Sequence, residues 1–149
     1  MKSSTAIAPS NLAFLKYWGK KDSKLRIPYN NSISVNLGNA KTITSVSFSP
    51  ELEQDIIIVN DNEKDATSSF AIRVSRHLDR LRELANEKSK ATVKTENTFP
   101  ESVGIASSAS GFAALTIAAA DALGLNLDEK ALSIFARLGS GSACRSIPD

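Results

Sequence analysis

A chain of 149 residues, 42% hydrophobic and 23% charged, is sized for one globular domain with a real core, which excludes a disordered tail, a collagen-like rod and a disulfide-stapled miniprotein. Lys and Arg number 18 against 16 Asp and Glu, a net charge of +2: too small an excess to favour nucleic acid, but enough for a local basic pocket. One Cys and one His argue against an internal disulfide, a multi-Cys zinc centre, a His-based metal site or a Ser-His-Asp triad. Residues 1–5 are short and polar, and the apolar run behind them is broken by Pro9, Ser10 and Asn11, unlike a secretory signal. No stretch approaches the ~20 apolar residues of a membrane span, so the expectation is a cytoplasmic protein without a membrane partner.

Residues 5–8 and 12–15 read as two short strands or one irregular strand, followed by a polar loop over 20–24. Residues 33–37 and 42–48 alternate apolar and polar, and Gly38-Asn39 between them is a turn signal, so 33–48 is expected to be a β-hairpin. Residues 55–59 form a further strand, ended by Asn60-Asp61-Asn62. Phe70, Val74, Leu78, Leu81 and Ala85 make one apolar stripe along a helix over 67–88, with Arg73, Arg76, Arg80, Arg82, Glu83 and Glu87 on its solvated face and His77 at the surface beside the stripe. Residues 91–96 are a strand, and 100–104 break the chain. Residues 107–123 are an Ala-rich helix suited to close packing on a sheet, with Gly124 just past its end. Asp128 is placed to cap a third helix over 129–138. Strands first and helices later predict an α+β fold: a mixed sheet with helices 67–88 and 107–123 on the same side.

Three segments carry chemistry. Residues 100–111 run from a strand into a helix, whose first N–H groups are unpaired and carry partial positive charge. There Gly104 permits close backbone approach, and Ser107, Ser108 and Ser110 add hydroxyls; the segment reads as a phosphate cradle or as a Ser-rich helix cap. No Gly-Lys-Ser/Thr follows, so it is not a Walker A loop. In Lys16-Tyr17-Trp18-Gly19-Lys20, two cations flank two aromatics, suiting either phosphate binding or a solvated strand end with Trp18 in the core. Gly139 to Ser146 alternates small residues and ends near Arg145, a bidentate fork for phosphate or carboxylate, or else forms a surface loop. Cys144 has no His partner in a nucleophile arrangement.

Taken in order, Asn11-Leu12-Ala13-Phe14-Leu15-Lys16-Tyr17-Trp18-Gly19-Lys20, Pro28-Tyr29-Asn30-Asn31-Ser32-Ile33-Ser34-Val35, Gly104-Ile105-Ala106-Ser107-Ser108-Ala109-Ser110-Gly111 and Ser140-Gly141-Ser142-Ala143-Cys144-Arg145-Ser146 strongly resemble the mevalonate diphosphate decarboxylase family. That family belongs to the superfamily of galactokinase, homoserine kinase, mevalonate kinase and phosphomevalonate kinase. The resemblance runs from about residue 5 to 146 and implies the N-terminal lobe of that superfamily fold, of the ribosomal protein S5 domain 2-like type.

The resemblance implies ATP-dependent decarboxylation of mevalonate 5-diphosphate to isopentenyl diphosphate, with ATP and Mg²⁺ as cofactors. Tyr17, Trp18, Gly19 and Lys20 are expected to line the substrate site, with Ser140, Gly141, Ser142, Ala143, Cys144 and Arg145 as its opposite wall. Arg73 is expected to reach the substrate diphosphate and Arg145 its carboxylate. Gly104, Ala106, Ser107, Ser108 and Ser110 are expected to hold the ATP phosphates, with Lys16 a weaker contact and no protein metal ligands. The family's catalytic Asp is expected beyond residue 149, in a C-terminal half of the same enzyme; a homodimer is compatible with this reading. Two alternatives are a mevalonate 5-phosphate decarboxylase and a non-catalytic phosphate- or nucleotide-binding fragment that needs a partner chain.

Overall fold

The computed structural model describes residues 2–16, 18–99 and 107–147. The elements in chain order are β1 (Lys2–Leu15), β2 (Lys20–Asp22), β3 (Ile27–Pro28), β4 (Ile33–Ser49), β5 (Ile56–Val59), β6 (Asn62–Glu63), α1 (Ser69–Ala85), β7 (Lys90–Asn97), α2 (Ser107–Ala122), α3 (Glu129–Gly139) and a 3₁₀ turn (Ala143–Ser146). Five strands form one sheet in the order β1-β4-β7-β5-β6; β2 and β3 pair separately. The sheet is mixed, because β5 runs parallel to β7 while the other pairs are antiparallel.

The buried positions alternate along the strands and share one face: Ala6 and Ala8, then Thr42, Thr44, Val46 and Phe48, with Ile57, Ala91 and Val93. Val74, Leu78 and Leu81 of α1 and Phe112, Leu115 and Ala119 of α2 join them in one core, so both helices cover the same side, as expected. Helix α2 is buried almost all round, since its alanines let the backbone lie close against β1 and β4. Ser68 caps α1 by accepting from the Ala71 N–H, and Asp128 caps α3 by accepting from Ala131.

The expected hairpin over 33–48 is absent. Residues 33–49 form one long strand, antiparallel to β1 along its whole length. Pro9 pairs with Lys41 and Ser10 with Leu37, so Gly38, Asn39 and Ala40 bulge out of the ladder instead of turning the chain. The true hairpin turn lies one element later. Asn60 and Asp61 both take positive φ, 48° and 60°, and link β5 to β6 as a two-residue turn of left-handed residues.

Two residues expected at the surface of α1 are buried. His77 is fully buried because α1 packs against α2 as well as the sheet, which widens its covered face beyond the apolar stripe. Its Nε2 lies 2.8 Å from the Thr116 hydroxyl, which donates to the Phe112 carbonyl, so the imidazole donates from Nε2. Arg82 is also buried: its guanidinium donates to both oxygens of buried Asp55, to Asp79 at 2.8 Å and, through Nε, to the Ser89 carbonyl at 2.9 Å. Asp55 accepts in addition from the Ala91 N–H at 2.9 Å, which clamps α1, β5 and β7 together.

Burial, aided by the charges of Arg80 and Arg26, pushes the His77 pKa down to about 3. The native imidazole is then neutral, whereas the unfolded one titrates near 6.5. Below pH ~6.5 the unfolded chain binds a proton that the native one refuses, so stability falls with falling pH until about pH 3. Urea midpoints against pH should show this loss, and His77→Gln should flatten it. Asp55→Ala should remove about 3 kcal/mol by leaving the buried Arg82 with only the half-exposed Asp79 carboxylate and the Ser89 carbonyl, read by urea denaturation at pH 7.

Candidate active site

Past its bulge, β1 carries Asn11, a buried amide in an otherwise apolar stretch. Its Nδ2 donates to the Ser146 hydroxyl at 2.7 Å and to the Ser142 carbonyl at 3.2 Å, while its Oδ1 accepts from Arg145 Nε at 3.4 Å. Arg145 Nη1 donates to the Ser32 hydroxyl at 2.9 Å. Arg145 thus links the Asn11 amide to Ser32, joining three distant segments, and Arg145, Cys144, Ser32 and Asn36 open onto a shallow pocket at the end of β4. Sequence reasoning gave Asn11, Ser32 and Ser146 no role; the legible signal was a lone Asn inside an apolar strand. Residues 143–146 are not a loose loop but a 3₁₀ turn, with Ser142 at its start. Burial raises the Cys144 thiol pKa, against a thiolate role.

A second, larger cavity of about 820 Å³ lies between α1, α2 and the sheet. Ile57, Val74, Val93 and Leu115 form its apolar wall; Lys64, Arg73, Asn97, Ser107 and Ser108 add polar groups. Phe70, expected in the core stripe, lines this cavity instead. Arg73 therefore shares a wall with Ser107 and Ser108. Burial and the nearby Arg26 charge both lower its pKa. Arg26, at the tip of the β2–β3 pair with φ 52°, is a cation that no local pattern places here. Ser110 does not open into the cavity: its buried hydroxyl lies 2.7 Å from Thr42 Oγ1 and ties α2 to the sheet.

The two regions touch where the Ser140 and Ser108 hydroxyls approach to 3.4 Å. Trp18 is not in the core but 81% exposed, its backbone N–H donating to Asn30 Oδ1 at 3.1 Å. Asn30 also donates to the Lys16 carbonyl at 3.4 Å, pinning the segment's entry. Gly19 holds φ at +75° beside the Tyr29 ring, and Lys20 begins β2, exposed. Tyr17, Gly104 and Ala106 lie outside the described residues. Among those described, no three His, Cys, Asp or Glu side chains cluster to hold a metal, and no helix is long and apolar enough to cross a membrane.

A mixed sheet covered on one face by helices, with hydroxyls of one helix's first turn opening into a cavity beside it, defines an α+β domain of the small-molecule kinase type. The chain belongs to the diphosphomevalonate decarboxylase-like N-terminal domain family, whose model matches residues 8–149. It is 41% identical to the diphosphomevalonate decarboxylase of Saccharomyces cerevisiae, over 94% of this chain and 38% of that protein. It is 38% identical to the phosphomevalonate decarboxylase of Haloferax volcanii, over 96% of this chain and 44% of that one. The crystal structure of mevalonate diphosphate decarboxylase from Staphylococcus aureus superposes with a TM-score of 0.92 at 43% identity, covering 97% of this chain and 43% of the other. MDDEF in complex with MVAPP, AMPPCP and magnesium superposes at 0.90 with 42% identity, covering 97% of this chain and 43% of that one. The chain thus spans about two-fifths of the length of these curated relatives.

Asn11→Leu keeps the side-chain volume and removes all three hydrogen bonds. It should destabilise the domain by about 1–3 kcal/mol, because the buried Ser146 hydroxyl and the Arg145 fork lose their partner. Hydrogen exchange at Ala143, Cys144 and Arg145 should quicken well before that of α2.

Proposed function

We propose that the chain is the nucleotide- and substrate-anchoring part of an ATP-dependent decarboxylase that converts mevalonate 5-diphosphate to isopentenyl diphosphate, with release of ADP, phosphate and CO₂. One observation carries this reading: Ser108 opens into the large cavity beside Arg73 and also meets Ser140, so the segments assigned to nucleotide and to substrate share a border. Transfer of phosphate to the 3-hydroxyl needs two polyanions held side by side with their charge offset. Lys64, Ser107 and Ser108 suit the nucleotide side, the apolar cavity wall suits a flat base, and Arg73 in the same cavity suits the substrate diphosphate. On the other side Arg145, held by Asn11 and Ser32, is the fork for a carboxylate, and the family motif assigns Trp18, Gly19 and Lys20 to the same substrate.

The cavity fits a nucleotide with magnesium in donor chemistry: hydroxyls and cations without a carboxylate cage. Mg²⁺ commonly rides on phosphate oxygens and waters with few protein ligands. When bound, ATP supplies the phosphoryl group that turns the tertiary hydroxyl into a leaving group. The chain's own cations hold the anionic ends of both molecules away from the carbon that becomes positive as phosphate departs.

A C-terminal half is the proposed partner. Past the bulge, β1 and β4 continue as a two-stranded ribbon beyond β7, and Leu12, Phe14, Ile33 and Val35 on it are exposed. Two strands alone are marginal in water, and this ribbon suits a covering lobe that brings the acidic residue for the hydroxyl. The 38% identity to the Haloferax volcanii enzyme supports a second reading, mevalonate 5-phosphate as substrate.

Coupled ADP release with each substrate, on the chain joined to a relative's C-terminal half, decides between them. The expected result is faster turnover of the diphosphate; faster turnover of the monophosphate reverses the assignment. Arg145→Ala in that enzyme should lower kcat/KM by at least about 30-fold, as loss of a charge-assisted pair worth 2 kcal/mol or more. The 149-residue chain alone should bind ATP without releasing CO₂, and CO₂ release from it would refute the need for a second lobe.

A further inference from the structure

The ring of Phe112 is the meeting point of three elements. On one side the Arg73 guanidinium carbon stands 4.8 Å from the ring centroid, the geometry of a cation–π contact. His77 meets the same ring edge-on, 5.4 Å between centroids and at 90°. The ring also lies against the backbone of Gly139: a Cβ built there would fall 2.2 Å from Phe112 Cδ1. Gly139 ends α3, and the next residue is Ser140, whose hydroxyl approaches Ser108. Ser108 in turn sits one helical turn before Phe112.

Among the described residues Arg73 has no carboxylate at ion-pair distance; the ion pairs there belong to Lys2 and Arg82. Its partner among the described residues is the ring, and its neighbouring charge is another cation, Arg26. A long side chain in that position keeps several rotamers unless something holds it, and losing them on binding weakens affinity. The face of a buried aromatic ring holds a guanidinium without neutralising it, which a carboxylate cannot do.

Resting on the reading of this cavity as a phosphate site, we infer that Phe112 is a positioning residue: its ring face fixes Arg73 in the wall shared with Ser108, and its contact with Gly139 sets Ser140 opposite, ready for a diphosphate. His77 braces the ring edge from within the core and, being neutral, adds no competing charge.

The test is calorimetric binding of inorganic pyrophosphate to the 149-residue chain. Phe112 is replaced by phenylalanines bearing one, two and three ring fluorines, which drain the ring face of electron density while keeping the packing against Gly139. Affinity should fall stepwise, about three- to tenfold across the series, with unchanged thermal midpoints. Phe112→Leu should lose at least as much. In an Arg73→Ala background the fluorine series should be flat, because the ring acts through that guanidinium. A flat series in the otherwise native chain, with pyrophosphate bound, overturns the inference and leaves the phosphate site standing. An equal decline with and without Arg73 overturns it too. Failure of the unsubstituted chain to bind pyrophosphate overturns the phosphate-site reading, and this inference with it.

Discussion

The close seating of α2 on the sheet is the constraint from which the site follows. Ala109, Ala113, Ala114 and Ala118 have no exposed surface, and larger residues in their place would lift the helix off β1 and β4. At that short distance Ser110 can reach Thr42, Thr116 can receive His77, and Phe112 can fill the space that Gly139 leaves. Each contact fixes a different neighbour: the sheet, α1 and the end of α3. The first turn of α2, with Ser107 and Ser108, is therefore positioned by core packing together with the Ser110–Thr42 contact. Interiors packed to crystal-like density transmit such constraints, since few voids remain to absorb a shift.

The second determinant is the irregularity in β1 and β4. A perfect ladder would alternate residues regularly between the faces. The bulge at residues 38–40 breaks that regularity, and Ser10 and the adjacent Asn11 are both buried. Asn11 is then available to bind Ser142, Ser146 and Arg145. Pro9 is tolerated beside the bulge because β1 lies at the edge of the sheet, where a missing N–H interrupts no ladder. Bulges commonly re-aim side chains at functional sites, and here the consequence is a fixed orientation for Arg145.

The net charge of +2 hides two populations of arginine. Arg82 is buried, paired with Asp55 and Asp79, and belongs to the architecture. Among the described residues, Arg73 and Arg145 meet an aromatic ring, a hydroxyl and an amide instead of carboxylates. A cation held by neutral partners keeps its charge for a ligand, and the two regions that hold them border at Ser108 and Ser140. Burial of His77 as the neutral imidazole beside this cluster avoids adding a further positive charge.

The helices, the α1 and α3 boundaries with the Asp128 cap, and the α+β class are legible in the sequence alone, because they depend on periodicity and on short-range hydrogen bonds. The stripe from Val74 to Leu81, Asp128 as a cap and the alanines of α2 are all local signals. Strand pairing was less legible. Gly38-Asn39 favours a turn in isolation, and only the continuous partner strand β1 makes it a bulge. Nor could the chain order reveal that His77 and Arg82 are buried, since an amphipathic pattern shows one covered face and α1 has two. The site residues were named by resemblance, but their grouping was not written in any local pattern. Arg145 finds Asn11 and Ser32 across more than a hundred residues, and Arg73 finds a ring on another helix. Those contacts exist only after the sheet and α2 have closed on each other. Side-chain partners far apart in sequence are chosen by packing geometry, which no window of neighbouring residues contains.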